Sequence, residues 1–284
     1  MDFKAYRRGN YPAASIDMIG DHIIVVYFDN PPVNAANRDR ITLSEPPIFE
    51  GIAKDDDIRC VIITGKDTEY KGKHYFCAGA DVKQWSARDG QPVTKQEGYV
   101  RPMVFPRAYP ECELLWNCGK PSIAMVNGAA TGVGADWAIC TDISIASDDA
   151  RIGWSYVQRG VVAMEGGTWL LPRRIGVNRA MELLITGKII DAQEAYRIGI
   201  FNQVVPHDQL LDATMEYANW FVKGPPTTIG ITRAMVWQGL DMTFPEHLKS
   251  IELAAGCINA DRAEAMRAWV EKREAKYDGL GRPS

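Results

Sequence analysis

Residues 126–142 read VNGAATGVGADWAICTD, and this stretch decides the fold. A short apolar strand, residues 123–126, ends at Asn127-Gly128 and is followed by a glycine-spaced turn and an apolar helix. Glycines at 132 and 134 let the backbone approach a ligand closely. The free N–H groups at the start of the helix then point at that ligand, which is how proteins hold an oxyanion. Asp136 places a carboxylate near the start of the same predicted helix.

A second small-residue turn, FCAGADVK at residues 76–83, follows the predicted strand 60–64 and a long polar loop. Strand, loop, turn and helix therefore occur twice in the same order. Two such turns on separate strands can direct two backbone N–H groups at one oxygen atom, which is the arrangement of an oxyanion hole.

With both turns in view, the chain resembles the crotonase family, also called the enoyl-CoA hydratase/isomerase family, from about residue 23 to about residue 277. The resemblance rests on CAGADVK at 77–83, PSIAMVNG at 121–128, the glycine-rich turn, GGT at 166–168, LITG at 184–187 and VEKR at 270–273. It implies an α/β fold, a crotonase-like spiral of ββα turns with a helical C-terminal section that builds trimers. It also implies an enzyme that stabilises the enolate of an acyl-CoA thioester.

The resemblance assigns the oxyanion hole to the backbone N–H groups of Ala80 and Val133. Family members usually carry glycine at the second position, so Val133 keeps the N–H group and adds a β-branched side chain. Asp136 takes the place of the first of two glutamates with which the hydratases position water and move protons. The second glutamate is replaced by Tyr156.

Tyr156 weakens the usual two-glutamate mechanism, because a phenol with a pKa of about 10 is a poor base at neutral pH. It can donate a hydrogen bond, act as a general acid, or simply form a wall of the pocket. Glu165 is the candidate replacement, since it precedes Gly166-Gly167-Thr168 at the start of an apolar helix. The resemblance supports this role, because dienoyl-CoA isomerases and 4-chlorobenzoyl-CoA dehalogenases carry aspartate at the corresponding turn. A charge that merely favours the helix N-terminus is the alternative.

The resemblance also places coenzyme A along the turn at 77–83, where small residues let the nucleotide and pantetheine approach the backbone. Two C-terminal residues are implied to reach the nucleotide bound by a neighbouring subunit. The candidate CoA-binding residues are Ala35, Ala78, Asp81, Lys83, Trp269 and Lys272.

The composition is ordinary for a globular enzyme, with 284 residues, 46% apolar and 24% charged. A net charge of −4 without a basic stripe argues against nucleic acid as a partner. Six cysteines without paired or zinc-like spacing, no signal-peptide run and no membrane-length apolar segment predict a cytoplasmic protein. The four histidines match no metal template, so we expect no metal site, and no cofactor beyond the coenzyme A of the substrate.

Apolar runs at 23–28, 60–64, 123–126, 143–146 and 200–205 predict strands, with helical patterns at 135–140 and 180–184 between them. Pro46-Pro47 predicts that the helix after the first strand breaks or begins again at Pro47. Beyond residue 206 only helices are predicted, at 210–223, 227–240, 244–258 and 261–276, with Asp261 as N-cap of the last. We therefore expect a spiral core with the CoA and oxyanion site over residues 1–206, and a helical oligomerisation section over residues 207–284.

Three functions fit these observations. The leading hypothesis is hydration of an enoyl-CoA or the reverse dehydration. The second is another reaction on the same scaffold, either enoyl- or dienoyl-CoA double-bond isomerisation or hydrolysis of a carbon–carbon bond in a cyclic β-keto acyl-CoA. The third is a non-catalytic CoA-binding protein. An apolar stripe at Leu248, Ile251, Ala255 and Ile258 needs a partner surface, so we expect a homotrimer or a dimer of trimers, a hexamer.

Overall fold

The computed structural model describes residues 4–37, 44–81, 111–257 and 259–277. In these residues ten strands form two sheets, one of six strands in the order β1-β2-β3-β5-β7-β10 and one of four strands in the order β4-β6-β8-β9. The strands are β1 (Ala14–Ile19), β2 (Ile23–Phe28), β3 (Cys60–Gly65), β4 (Tyr75–Cys77), β5 (Ser122–Val126), β6 (Ala129–Thr131), β7 (Ile143–Ser147), β8 (Arg151–Gly153), β9 (Ile189–Asp191) and β10 (Gln203–Val205).

From β3 to β8, successive strands alternate between the two sheets. Strand β3 belongs to the large sheet and β4 to the small one, and the same holds for β5 with β6 and for β7 with β8. The helices of this part are α1 (Glu45–Lys54), α2 (Glu111–Asn117), α3 (Val133–Cys140), α4 (Gly167–Ile175), α5 (Val177–Thr186) and α6 (Ala192–Arg197). Helix α3 follows the pair β5–β6, and α4 follows β7–β8, so the predicted spiral of ββα turns is present.

The large sheet is parallel except for β1, which pairs antiparallel with β2. Strand β3 is buried at all six positions. Alternate residues pack on opposite faces, with Val61 and Ile63 in the main core and Cys60 and Ile62 in a second cluster. Burial on both faces explains why these strands read as continuous apolar runs and not as an alternating pattern.

Helix α1 begins at Glu45 and holds Pro46 and Pro47 in its first turn. Proline is tolerated there because the N–H groups of a first turn have no partner within the helix. The prolines therefore mark the beginning of a helix, as predicted, and the buried Ile48, Phe49 and Ile52 form its inner face.

The C-terminal helices are α7 (Leu210–Lys223), α8 (Pro226–Gly239), α9 (Phe244–Ala255) and α10 (Asn259–Glu271). Helix α8 is fixed to the core through Asp142, just after α3. The Asp142 carboxylate accepts hydrogen bonds from Arg233 Nε at 2.8 Å and from Trp237 Nε1 at 2.9 Å. It also accepts one from the backbone N–H of Ser122 at 2.8 Å, so one side chain joins α8 to strand β5.

The prediction that Asp261 is the N-cap of the last helix is wrong. Helix α10 begins earlier, at Asn259. The Asp261 carboxylate instead accepts hydrogen bonds from Thr228, from its N–H at 2.7 Å and from its Oγ1 at 3.1 Å. Thr228 lies in the first turn of α8, whose N–H groups have no partners within the helix. Asp261 therefore caps a neighbouring helix across space.

Within the described ranges, no helix combines the length and the apolar composition needed to cross a membrane. All six cysteines are free thiols; Cys257 is exposed and the other five are buried.

Candidate active site

Two adjacent turns form the first part of the site. Strands β4 and β6 are parallel neighbours in the small sheet, so the turns that follow them lie at the same edge of that sheet. Thr131, the last residue of β6, donates a hydrogen bond from Oγ1 to the carbonyl oxygen of Ala78 at 2.9 Å. The sheet thus brings together the two small-residue turns that the sequence singled out.

Glycine permits this close approach. Gly79 has a φ of +96°, and a Cβ atom at this position would lie 2.9 Å from the carbonyl oxygen of Thr131. A Cβ atom on Gly134 would overlap the carbonyl oxygen of Cys77, where α3 crosses the end of β4. Side chains at either position would push the two turns apart.

The backbone N–H groups of Ala80 and Val133 are available to a ligand. Among the described residues, neither group donates a hydrogen bond to the protein. Val133 is the first residue of α3, whose positive end faces the same way as this N–H group. Ala80 is exposed, whereas the side chain of Val133 is buried. This arrangement suits the negatively charged oxygen of an enolate or another tetrahedral or planar oxyanion.

Asp136 lies one turn further along α3 and is fully buried. Its Oδ1 accepts a hydrogen bond from Trp154 Nε1 and its Oδ2 accepts one from the Tyr156 hydroxyl, both at 2.7 Å. Burial raises the pKa of Asp136 to about 7, while hydrogen bonds from Tyr156, Trp154 and the backbone of Glu165 act in the opposite direction. A carboxyl group with this pKa can both take up and release a proton near neutrality.

Glu165 and the start of α4 form the opposite wall of the Asp136 site. Glu165 is buried, with 4% of its surface exposed. Gly166 follows with a φ of +102°, and α4 begins at Gly167. A Cβ atom on Gly167 would overlap Asp136 Oδ1, so glycine is required for this close packing.

The surroundings of Tyr156 favour the protonated form of its phenol. Burial, followed by the negative charge of Asp136, raises the pKa of this phenol well above its usual range, and Glu165 adds to the effect. Burial also raises the pKa of the Cys112 thiol, with further contributions from the charges of Glu165 and Asp136. The site therefore combines two carboxyl groups with a phenol, and both this phenol and the nearby Cys112 thiol favour their protonated forms.

Three of the predicted CoA-binding residues lie together beside the first turn. The backbone N–H of Ala78 donates to the carbonyl oxygen of Val33 at 3.1 Å, and that of Asp81 donates to Ala36 at 2.8 Å. Ala35 is adjacent to this pairing. These hydrogen bonds form a short strand-like pairing next to the Ala80 N–H group.

Of the other three predicted CoA-binding residues, Trp269 and Lys272 lie in the C-terminal section. Lys83 lies outside the described residues. Trp269 is 82% exposed on α10, and Lys272 follows the end of that helix with a φ of +52°. Their exposure leaves them free to meet another subunit.

An apolar cavity of about 310 Å³ lies beside Trp154 and Tyr156. Val157, Val161, Val162 and Ala163 form its walls together with side chains of α4 and α5, among them Pro172 and Met181. Ala80 and Val133 do not line it.

A family model described as enoyl-CoA hydratase/isomerase matches residues 18–280. The chain belongs to this family. Short-chain-enoyl-CoA hydratase of Clostridium acetobutylicum is 33% identical over 255 residues, which cover 89% of this chain and 92% of that protein. (E)-benzylidenesuccinyl-CoA hydratase of Thauera aromatica is 29% identical over 273 residues, covering 92% and 97%.

Solved structures of the enoyl-CoA hydratase/isomerase family share the fold. The crystal structure of an enoyl-CoA hydratase from Bacillus anthracis superposes with a TM-score of 0.82 at 27% identity, covering 95% of this chain and all of the other. Together with the family match, this confirms the predicted α/β crotonase fold and the prediction of an enzyme acting on acyl-CoA thioesters. The family chemistry uses the coenzyme A carried by the substrate and needs no further cofactor.

The sequence did not reveal how Trp154 and Cys112 contribute to the environment of this enoyl-CoA hydratase/isomerase site. The Trp154 indole N–H donates a hydrogen bond to Asp136, a role that no motif in the sequence indicated. Cys112 gave no signal, since its helix lies far from Asp136 in sequence.

Proposed function

We propose that the enzyme hydrates an enoyl-CoA, or dehydrates the corresponding hydroxyacyl-CoA, at the two turns. One observation carries the proposal: the helix whose first N–H group belongs to Val133 also holds Asp136, a buried carboxyl with a pKa of about 7. An oxyanion donor and an acid–base group are therefore rigidly linked. Loss of one oxyanion donor typically costs about 10²–10³ in rate.

In this mechanism Asp136 acts as the base. It accepts hydrogen bonds from Trp154, Tyr156 and the backbone of Glu165, all of which favour its carboxylate form. The carboxylate takes a proton from water as the water oxygen bonds to Cβ of the substrate. The electrons of the carbon–carbon double bond move to the thioester oxygen, where the Ala80 and Val133 N–H groups stabilise the enolate.

Glu165 acts as the acid that completes the addition. It gives a proton to Cα as the enolate collapses, and the proton that Asp136 took from water then passes to Glu165, so that both carboxyl groups are restored and the net reaction adds one water molecule. Its burial and its position directly before α4, against Asp136, support this role. Tyr156 holds Asp136 in place and stays protonated, so it replaces the missing second glutamate only as a hydrogen-bond donor.

The relatives support a hydratase. Both curated relatives described above are named as hydratases, one for short-chain enoyl-CoA and one for (E)-benzylidenesuccinyl-CoA. We therefore expect the enzyme to act on an enoyl-CoA whose acyl group is either short or bulky and aromatic.

Turnover of a panel of short, branched and aromatic enoyl-CoA thioesters tests the proposal. Mass spectrometry should show a product heavier by one water molecule. The variants Asp136→Asn and Glu165→Gln should each lower turnover by at least about 10²-fold, the usual scale of general acid–base catalysis. If Glu165→Gln retains full turnover while Tyr156→Phe abolishes it, the tyrosine is the proton donor and our assignment of Glu165 is wrong.

Double-bond isomerisation is the second candidate, favoured by Glu165 in place of the usual second glutamate. Moving a double bond requires a proton to leave one carbon and another to reach a second carbon, without addition of water. The same panel distinguishes the reactions, because an isomerised product keeps the mass of its substrate. A ring-opened product heavier by one water, from a cyclic β-keto acyl-CoA, would instead indicate carbon–carbon hydrolysis.

We also propose that residues 207–284 form an oligomerisation section and that the enzyme is a homotrimer or a dimer of trimers. Large apolar side chains are exposed on these helices in the single chain, including Phe244 at 72%, Leu253 at 80% and Val270 at 76%. Leu248 and Ile251 of the predicted stripe are also exposed. Such surfaces need a partner. A monomer in light scattering at micromolar concentration would refute this proposal.

Within such an assembly, we propose that Trp269 and Lys272 reach the nucleotide of a neighbouring subunit, while Ala35, Ala78, Asp81 and Lys83 hold coenzyme A within one subunit. Replacing Lys272 by alanine should weaken binding of an acyl-CoA in calorimetry without dissociating the oligomer. Unchanged affinity would contradict this role.

A cytoplasmic location is the final part of the proposal. Five buried free thiols accord with a reducing compartment. Fractionation of cells that produce the protein, followed by detection with a specific antibody, tests the location.

A further inference from the structure

Three polar side chains from distant parts of the chain meet at one edge of the molecule. Asp67 follows β3, His74 directly precedes β4, and His207 follows β10. One ligand atom from each lies within 4.8 Å of the other two. Among the described residues, this is the one such group of histidine, cysteine or carboxylate side chains.

The distances suit a shared metal ion. Asp67 Oδ1 lies 2.9 Å from His74 Nδ1 and 3.7 Å from His207 Nε2. Metal–ligand bonds of about 2.0–2.2 Å place the ligand atoms of a tetrahedral site roughly 3.3–3.6 Å apart. The atoms therefore need to move by only a fraction of an ångström to about one ångström to enclose an ion.

The two imidazole rings lie face to face, so one ring must rotate before both can direct an in-plane nitrogen lone pair at one ion. His74 and His207 stack with their centroids 4.0 Å apart and an angle of 24° between their planes. Both side chains are partly exposed, at 26% and 29%, and Asp67 is more exposed at 65%, so an ion can enter from solvent.

A second carboxylate lies near the other ring nitrogen of His207. Asp149 Oδ1 lies 3.6 Å from His207 Nδ1, and this buried nitrogen makes no hydrogen bond within the described residues. Asp149 Oδ1 is itself held by Ser147 Oγ at 2.5 Å. When the other ring nitrogen of a histidine binds metal, the free N–H commonly donates to a carboxylate of this kind, which fixes the ring.

We propose that Asp67, His74 and His207 bind a divalent transition-metal ion of the zinc class, with Asp149 positioning His207. Two imidazoles and one carboxylate favour zinc and its neighbours over magnesium or calcium. Three protein ligands leave a coordination position for water. The ion joins the loop after β3 to the segment that leads into α7, so it clamps the helical section to the spiral core. Asp136 and the oxyanion turns take no part in this site.

Calorimetric titration of the chelator-treated full-length protein with ZnCl₂ and, separately, MgCl₂ tests the site. We expect saturable binding of one zinc ion per chain and no binding of magnesium. Asp67→Asn and His207→Ala should each weaken zinc binding at least tenfold, and Asp149→Asn should weaken it by about 10–100-fold, the usual effect of losing an outer-shell partner.

His247→Ala is the matched control, because His247 lies on α9 outside the cluster, and it should bind zinc like the unmodified protein. Asp67→Asn keeps the test sound if His207→Ala misfolds, since Asp67 is in an exposed loop. Absence of saturable zinc binding, equal binding of magnesium, or zinc affinity that survives both Asp67→Asn and His207→Ala would overturn the proposal.

Discussion

The Tyr156 hydroxyl donates a hydrogen bond to Asp136 Oδ2 across 2.7 Å. Burial raises the pKa of both groups, that of Asp136 to about 7 and that of Tyr156 well above its usual range. The phenol therefore remains the donor throughout, whereas the carboxyl changes its charge near neutrality. These directions support the proposal that Asp136 is the member of the pair that exchanges protons.

Asp136→Asn should change how stability depends on pH. The pKa of Asp136 is raised in the folded protein, so its contribution to stability is complete below the ordinary aspartate pKa and is lost as pH rises through about 7. The variant has no such charge to bury. Relative to the native protein, it should gain about 2–3 kcal/mol between about pH 5 and pH 8, measured by urea unfolding. Parallel pH profiles for the two proteins would contradict the raised pKa.

Tyr156→Phe should move the pH profile of kcat/KM. The hydrogen bond from Tyr156 lowers the pKa of Asp136, so its removal should shift the Asp136 inflection from about 7 to higher pH. Turnover above the new inflection should fall less than it does in Asp136→Asn. An inflection that stays in place or moves to lower pH would show that another group governs the profile.

Gly167→Ala should lower activity by displacing the Asp136 carboxylate. The added methyl group overlaps Asp136 Oδ1 and would lie 2.9 Å from Trp154 Nε1. Displacement of the carboxylate by about 1 Å should lower kcat/KM by about 10²-fold. Gly230→Ala is the control, because the nearest atom to a Cβ there is 3.9 Å away and the site is in the middle of α8. Equal activity of the two variants would show that Asp136 does not need its present position.

Arg233→Ala should loosen the attachment of α8. The side chains of Arg233 and Asp142 are only 11% and 18% exposed, so removing the guanidinium leaves a mostly buried carboxylate with fewer donors. We expect a loss of about 2–4 kcal/mol in urea unfolding, because breaking a buried ion pair leaves a charge uncompensated. Arg197→Ala is the control. Its ion pair with Glu194 is exposed to solvent, and its loss should have no measurable effect.

The sequence predicted the central elements well because their apolar patterns are continuous. The observed bounds of β2 and α7 coincide with the predicted residues 23–28 and 210–223. The short strands β4, β6, β8 and β9 have three residues each, too few to display a period. Strand β1 was missed because Asp17 and partly exposed neighbours interrupt its apolar pattern at the edge of the sheet.

Candidate side chains for the site could be predicted from the sequence only where they stand in recognisable motifs. Asp136, Tyr156 and Glu165 were singled out from the family motifs, and the structure places all three together. The pairing of His74 with His207 was out of reach, because it depends on two loops that only the sheet order brings together. The capping contact of Asp261 with Thr228 was likewise a long-range contact, and local capping rules favoured the wrong helix.

The two candidate oxyanion donors, at Ala80 and Val133, belong to the main chain, and this makes them resistant to mutation. Nineteen of the twenty amino acids supply the same N–H group, and only proline removes it. The carboxyl groups at 136 and 165, in contrast, can be exchanged by a single substitution. Substitutions can therefore change the candidate acid–base groups on this scaffold without removing the two backbone N–H groups that are the candidate donors to the thioester oxygen.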